Sequence, residues 1–406
     1  MKSAVTYRDI VEARKNIRQV VRHTPLEYST TFSELVGGEV FFKYENLQKT
    51  GSFKIRGALN KIITLDNPER SKTVIAASAG NHAQGVAFAA TKAGYRSIIV
   101  MPQGVSITKL TATKNYGAQI VLSGQSYDEA YLAAEKMQQE NGAAFIHAFD
   151  DPAVIAGQGT VGLEIVEDLP DVETVVVPIG GGGLISGVAA ALRHIKPGVK
   201  IIGVQAAGAP AMKMAIDNGS VRELAAVSTL ADGIAVKHPG ELTFSMVREL
   251  VDDIVLVSDE EIAEAILMML ERGKVLCEGA GAVGVAAVLH KRALIKGPTA
   301  VIISGGNIDV HTLSIIIERG LIKAGRYVRV KTVVVDKPGT LQKLLGILAE
   351  TKTNVVSITH ERILPRVPIT QAEIQLDLET RDKEHVTEIL NVLSNNGYAV
   401  TTEQYQ

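Results

Sequence analysis

Thr174-Val-Val-Val-Pro178-Ile179-Gly180-Gly181-Gly182-Gly183-Leu184-Ile-Ser186-Gly187-Val188-Ala-Ala decides how this chain folds. The β-branched apolar run reads as a buried strand, and the alanine-rich segment beyond the glycines reads as a helix. Four successive glycines remove every Cβ from the turn between them, so the backbone is free to take positive φ and to approach a ligand closely. The N–H groups that open a helix carry partial positive charge, which suits a phosphate. A plain flexible turn is the competing reading, but it gives no reason for four residues of high chain entropy beside a buried strand.

Spacing narrows the choice of phosphate. A dinucleotide turn needs G-x-G-x-x-G, and counting from Gly180 or Gly181 puts Ile185 or Ser186 at the third glycine. Gly182 and Gly187 have the P-loop separation, but Val188 stands where the lysine belongs. Neither NAD nor ATP is indicated. What remains is a phosphorylated cofactor gripped by backbone, with its chemistry supplied from elsewhere in the chain.

Outward from this turn, strands and helices alternate. Strands are expected at Val40–Glu45, Thr73–Ala77, Ser97–Met101, Gln119–Leu122, Ala144–His147, Thr174–Pro178, Lys200–Gln205, Ile254–Val257 and Thr299–Ser304. Helices are expected at Arg8–Val21, His82–Ala93, Tyr127–Gln139, Asp259–Arg272 and Ala280–Leu294. This alternation predicts an α/β fold with an open, mainly parallel sheet covered on both faces, whose ligands sit at the carboxyl ends of strands. After Gly320 the pattern changes to β-α-β-β-α-β across Tyr327–Gln406, a ferredoxin-like second domain. A chain of 406 residues has ample length for both.

Composition excludes several functions. The formal charge of −2, without a basic block and with few aromatics, argues against a nucleic-acid partner. No apolar run approaches a membrane span, and the first residues carry no apolar signal core. The single cysteine, Cys277, rules out an intrachain disulfide and a cysteine zinc cluster. A cytoplasmic protein is expected.

Three segments outside the glycine turn bear chemistry. Lys54 follows Gly-Ser52-Phe53 and precedes Ile-Arg56-Gly57-Ala at an apparent helix start. A lone lysine is usually a solvated charge, but apolar neighbours desolvate it, lower its pKa and make it a Schiff-base candidate. A phosphate cradle joined to such a lysine points to pyridoxal phosphate (PLP). Ser78-Ala79-Gly80-Asn81-His82-Ala-Gln-Gly85 is a polar turn between strand and helix. It reads either as an N-cap using Ser78 or Asn81, or as a helix start that binds a substrate carboxylate while the Asn81 amide reaches a ring hydroxyl. Ser304-Gly-Gly-Asn307 is a similar strand-end turn, whose hydroxyl suits a pyridine nitrogen. Asp150-Asp151 before Pro152 reads as a helix N-cap, His147 as a satisfied histidine and Cys277 as a small buried hydrophobe. Glu278 stands open between a paired structural carboxylate and one facing a cofactor ring.

On these segments the chain resembles the fold-type II PLP enzymes and, within them, the threonine dehydratases (threonine ammonia-lyases). Ser52-Phe53-Lys54-Ile-Arg-Gly57 is similar to their Schiff-base motif, Ser78–Gly85 to their substrate and cofactor loop, and Gly180–Leu184 to their phosphate cup. Asp151–Thr160, Leu230-Ala-Asp-Gly-Ile234 and Ser304–Asp309 also resemble the family, in the same order along roughly Tyr7–Lys323.

The resemblance implies two open, mainly parallel sheets in a catalytic domain over residues 1–324, with a small subdomain at about 45–150 inserted in the large one. It implies that Lys54 binds the aldehyde and acts on the α-proton. Phe53, Asn81, Gly180, Gly181, Gly182, Gly183, Leu184 and Ser304 would hold the cofactor, and Ser78, Ala79, Gly80, Asn81 and His82 the substrate. The implied reaction eliminates water from L-threonine or L-serine and leaves a 2-oxoacid and ammonia, in isoleucine synthesis or threonine breakdown. Sister PLP chemistry by β-replacement, and an amino-acid sensor with a vestigial PLP fold, are the alternatives.

Two departures carry weight. Related serine racemases use a serine as a second base where this chain has Ala79. Some relatives bind a divalent ion with carboxylates where this chain has Gln205, Ala209 and Ala211, so no divalent metal is expected, and a monovalent cation on carbonyls stays open. Residues 325–406 resemble a single ACT domain. That likeness implies an amino-acid effector such as isoleucine or valine near Asp336, Gly339 and Asn354, and a homodimer or homotetramer.

Overall fold

In the computed structural model, which describes residues 5–65, 72–291 and 295–402, the run Thr174–Pro178 is a strand with all five residues buried. The chain forms two compact units, Met1–Asp309 and Val310–Gln406. With strands numbered in chain order, the large sheet of the first unit runs Leu26–Tyr28 (β1), Val40–Tyr44 (β2), Thr299–Ile303 (β10), Thr174–Pro178 (β7), Lys200–Ala206 (β8) and Asp253–Val257 (β9). Every pairing is parallel except that of β1, an antiparallel edge on β2. A second sheet, wholly parallel, runs Gln119–Leu122 (β5), Arg96–Met101 (β4), Thr73–Ala77 (β3) and Ala144–Phe145 (β6). The alternating pattern therefore divides into two open sheets, as in fold-type II PLP enzymes. The central strands β3, β7 and β10 are buried on both faces, which explains their unbroken apolar runs.

The helix Lys54–Ile63 sets the position of the candidate lysine. Its Ile55, Leu59 and Ile62 repeat at helical spacing and sink into the core of the small sheet beside Val74, Ile99 and Val86. Each such side chain contributes roughly 1.5–3 kcal/mol on full burial. The helix lies against Asn81–Ala93 and Pro152–Asp168 at backbone contact. A Cβ on Gly157 would come within 2.6 Å of Arg56 O, and one on Gly85 within 3.1 Å of Ile55 N. Both positions require glycine for the helices to approach this closely.

The second unit begins with the helix Val310–Lys323. It continues as Tyr327–Val335 (β11), helix Thr340–Glu350, Asn354–Glu361 (β12), Gln371–Glu379 (β13), helix Lys383–Asn395 and Val400–Thr402 (β14). The antiparallel order β12-β13-β11-β14 is that of a ferredoxin-like sandwich. Alternate residues Val328, Val330 and Val334 pack against Leu344, Leu348, Ile389 and Leu393 of the two helices.

Several boundaries differ from the sequence reading: the helix expected at Arg8–Val21 is observed as Tyr7–Ile17, that at Asp259–Arg272 ends at Met268 and passes into a π turn, and the strand expected at Asn354–Leu364 ends at Glu361. The strand expected at 144–147 ends at Phe145, because His147 Nδ1 accepts the N–H groups of Phe149 and Asp150 and bends the chain there. The helix expected at 280–294 is observed as Gly279–His290. Residues 292–294, like 403–406 of the last domain, lie outside the described residues.

Candidate active site

The glycine turn opens the helix Gly183–Ile195, whose N-cap Gly182 has φ +96° and no side-chain cap. The first N–H groups of that helix lack intrahelical acceptors and carry its positive end. Only Gly182 of the four needs glycine for its backbone angle. The others need it for space. A Cβ on Gly181 would lie 2.3 Å from the Phe149 ring, one on Gly183 2.9 Å from Phe149 Cα, and one on Gly180 3.0 Å from Ile234 Cα. Thr243 Oγ1 donates to Gly181 O at 2.6 Å and clamps the turn from behind.

Across the cavity, Lys54 is the first residue of its helix, after Phe53 as N-cap. The backbone N–H of Phe53 donates to Ser304 O at 3.1 Å, and Gly306 N–H donates to Gly51 O at 2.9 Å. These two bonds tie the lysine turn to the end of β10. The side chain opens onto the cavity, but its ammonium is enclosed by protein, donates to Ala148 O at 2.9 Å and lies 5.2 Å from the Phe53 ring centre. Burial lowers Lys54 to about 8, with Glu278 opposing the shift. A larger neutral fraction near neutrality is what a nucleophilic amine requires.

The helix Asn81–Ala93 starts at Gly80 without a side-chain cap. The N-cap reading of Ser78 or Asn81 is therefore corrected: Ser78 Oγ accepts from Gly80 N–H at 3.2 Å, and the Asn81 amide turns to Glu278. That leaves the N–H groups of this helix start for an anion. His82 Nε2 pairs with Ile146 O at 2.8 Å, while its Nδ1 is buried and has no partner among the described residues. Burial, helped by the Lys54 charge, lowers His82 to about 3 and keeps it neutral. Ser304, at the end of β10, donates to Ala280 O at 3.2 Å through a rotatable hydroxyl.

A cavity of about 460 Å³ brings these groups together: Lys54, Ser78–His82, residues 180–184 and Ser304 all line it, with Phe53. Sequence reasoning missed Phe149, whose ring packs on the glycine turn, and, although it singled out the Ser304–Asn307 turn, the bonds of Asn307 to Thr50 O and Asn81 Oδ1. It also missed a buried charge cluster behind Lys54. The Arg56 guanidinium, fully buried, pairs with Glu45 at 2.7 Å and Glu164 at 2.6 Å. Lys43 adds contacts to Glu164 at 2.9 Å and Asp168 at 3.1 Å. Burial pushes Glu164 up, but the Arg56 and Lys43 cations outweigh it and hold the carboxyl below its ordinary value. Asp151 is the N-cap of Pro152–Asp168, accepting from Ala153 and Val154 N–H. Cys277 is buried, and burial pushes its thiol up to about 12.

The three effector candidates lie apart within the second unit. Gly339 (φ +88°) caps the helix after Asp336, and Asp336 Oδ2 pairs with Arg362 at 3.2 Å. Asn354 starts β12 at the opposite end, where its amide donates to Glu379 at 3.2 Å. Glu361, at the other end of the 8-residue strand β12, lies seven steps on, roughly 23 Å at about 3.3 Å per residue. Near the expected non-metal position, Gln205 Oε1 accepts Lys213 N–H at 2.8 Å. Among the described residues no group of three or more His, Cys, Asp or Glu side chains is placed to hold a metal ion, and no helix is long and apolar enough to cross a membrane.

The cavity fits a phosphorylated aromatic aldehyde: a side-chain-free glycine turn, packed so tightly behind that no Cβ has room, lines one wall, and a desolvated amine ends another. Comparison with known proteins agrees. The profile of a family described as pyridoxal-phosphate dependent enzyme matches residues 17–306. L-threonine ammonia-lyase of Thermotoga maritima is 55% identical over 98% of this chain and 99% of its own. That of Geobacter sulfurreducens is 50% identical over 97% and 98%. Maize serine racemase superimposes with a TM-score of 0.74 at 39% identity, over 79% of this chain and 99% of that one. Threonine deaminase isoform 2 of Solanum lycopersicum gives a TM-score of 0.74 at 38% identity, over 77% and 87%.

Proposed function

Because the chain belongs to the pyridoxal-phosphate dependent enzymes, we propose that it is an L-threonine ammonia-lyase that also accepts L-serine. One observation carries the reading: a single cavity joins the Lys54 amine, the 180–184 cradle, Asn81 and Ser304. Relatives named for this activity, alike over almost the whole chain, support it. When bound, PLP supplies the electron withdrawal that weakens the bond between the substrate's Cα and its hydrogen.

The residues divide the remaining work. Lys54 would hold the cofactor through its aldehyde, and its amine would take the proton from the substrate's Cα. The N–H groups at the start of Gly183–Ile195 hold the phosphate. Those at the start of Asn81–Ala93, with Ser78 and Gly80 before them, hold the substrate carboxylate. Asn81 meets the ring oxygen, and Ser304 meets the ring nitrogen with a hydroxyl, which does not protonate it. A hydroxyl there, in place of a carboxylate, would leave the ring nitrogen unprotonated, which suits loss of the β-hydroxyl. Ala79 offers no base for the opposite face, so elimination outruns racemisation. Threonine thereby yields 2-oxobutyrate and ammonia, and serine yields pyruvate and ammonia.

Incubating the protein with threonine and measuring 2-oxobutyrate, with and without added thiol, tests the assignment. Thiol adducts in place of the 2-oxoacid would turn it to β-replacement, and no product from either would defeat it. We assign residues 325–406 as an ACT domain that binds isoleucine or valine. With Asp336 and Gly339 at one end of the sheet and Asn354 at the other, a site using all three takes Asn354 from a second copy, which accords with a dimer or tetramer. Coupling of this kind is typically ~1–3 kcal/mol.

A further inference from the structure

Glu278 has no part in the scheme above, yet it is 4% exposed and lines the same cavity. A buried carboxylate is costly unless something answers it. Asn81 Nδ2 donates to Glu278 Oε1 at 2.6 Å. The other end of that amide, Oδ1, accepts from Asn307 Nδ2 at 2.8 Å. Asn307 Nδ2 in turn donates to Thr50 O at 2.9 Å.

The two ends of an amide are nearly alike in shape, so its partners settle which way it faces. In this chain of bonds the Thr50 carbonyl can only accept, and Glu278, whose carboxyl burial pushes up to about 7 against the pull of the Asn81 bond, accepts in its ionised form. The carbonyl of Thr50 obliges Asn307 to present its NH2, and Asn81 must answer with oxygen. The NH2 of Asn81 then falls to the carboxylate. One N–H of Asn81 is left uncommitted. The pair also has dedicated room: a Cβ on Gly305 would lie 2.3 Å from Glu278 Oε1 and 3.1 Å from Asn81 Nδ2.

We propose that Glu278 is a positioning residue: acting through Asn81, it holds the amide so that a hydrogen-bond donor, rather than a lone pair, is offered to the ring oxygen of the cofactor. This rests on the assignment of Asn81 as the ring-oxygen ligand. Without Glu278 only the Asn307 contact keeps the Asn81 oxygen turned aside, so the amide is held less firmly and its donor is offered to the ring oxygen less often.

Titrating apoprotein with PLP and recording the absorption band of the bound cofactor tests this without recourse to turnover. Glu278→Ala should weaken binding by about tenfold, the loss of roughly one charge-assisted hydrogen bond, and move the band. Glu278→Gln keeps a carbonyl acceptor for Asn81 and should restore both. Asn307→Asp, which sets acceptors against Asn81 Oδ1 from the other side, should move the band the same way, even if Glu278→Ala does not fold. Asn81→Ala separates the two claims. A band moved by Asn81→Ala but unmoved by Glu278→Ala or Asn307→Asp overturns the positioning role alone. A band unmoved by Asn81→Ala overturns the ligand assignment, and the positioning role falls with it.

Discussion

The amine of Lys54 is lowered to about 8 because burial penalises its charge more than Glu278 supports it. The neutral amine attacks an aldehyde, so capture of PLP by apoprotein should quicken with pH and level off a little above 8. A solvated lysine would keep gaining toward about 10.4. Stopped-flow absorbance across pH 6–10 reads the difference, and Lys54→Ala should give a colourless, inactive protein. Gly183→Ala probes the cradle, since its methyl would meet the Phe149 backbone at 2.9 Å, which cannot swing aside. Cofactor affinity should fall by at least about tenfold, the scale of a lost phosphate contact, and equilibrium titration measures it.

At the scale of elements, the helix that carries Lys54 is held by oil on one side and charge on the other. Ile55, Leu59 and Ile62 were legible from spacing alone, because helical period and burial are local properties. The Arg56 cluster was not, since its partners Glu45 and Glu164 arrive from different elements. Arg56→Ala should cost about 3–5 kcal/mol, because two buried carboxylates lose their cation. Removing the exposed pair Lys15–Glu12 should barely move the melting temperature. The cluster also sets an acid limit. Arg56 and Lys43 hold Glu164 below its ordinary 4.5, and His23 with Lys43 hold Asp168 below 3.8, against the upward push of burial on both. A depressed carboxyl stabilises the fold fully above its unfolded pKa and loses that contribution as pH falls through the folded value. In thermal melts, protonation of this cluster should therefore lower the melting temperature below about pH 4. That loss comes on top of a decline that begins near 6.5, where unfolded His82 takes up the proton its buried form refuses, partly offset by Glu278, whose raised carboxyl acts in the opposite sense down to 4.5.

For the whole molecule, the proposed regulatory role of the second unit is open to a truncation test. Ending the chain after Asp309 removes that unit at its boundary. The shortened protein should still turn over threonine and should lose any response to isoleucine or valine, as steady-state rates with each amino acid titrated in would show. An effector response that survives the truncation would place the regulatory site in the first unit.

By itself the sequence determined the alternation of strand and helix, the change of pattern after Gly320, the glycine turn and the lysine at a helix start. All of these are patterns of neighbouring residues, written in period and chain entropy. The division of the strands between two sheets was not in the period but in the motifs' likeness to a known fold, and the structure has it; only the tertiary structure decided that three of the four glycines are needed for packing against Phe149 and Ile234, and that Asn81 is held by Glu278 and Asn307. Those outcomes depend on contacts between residues more than a hundred positions apart in places, and no local pattern encodes which distant side chain will fill a given space.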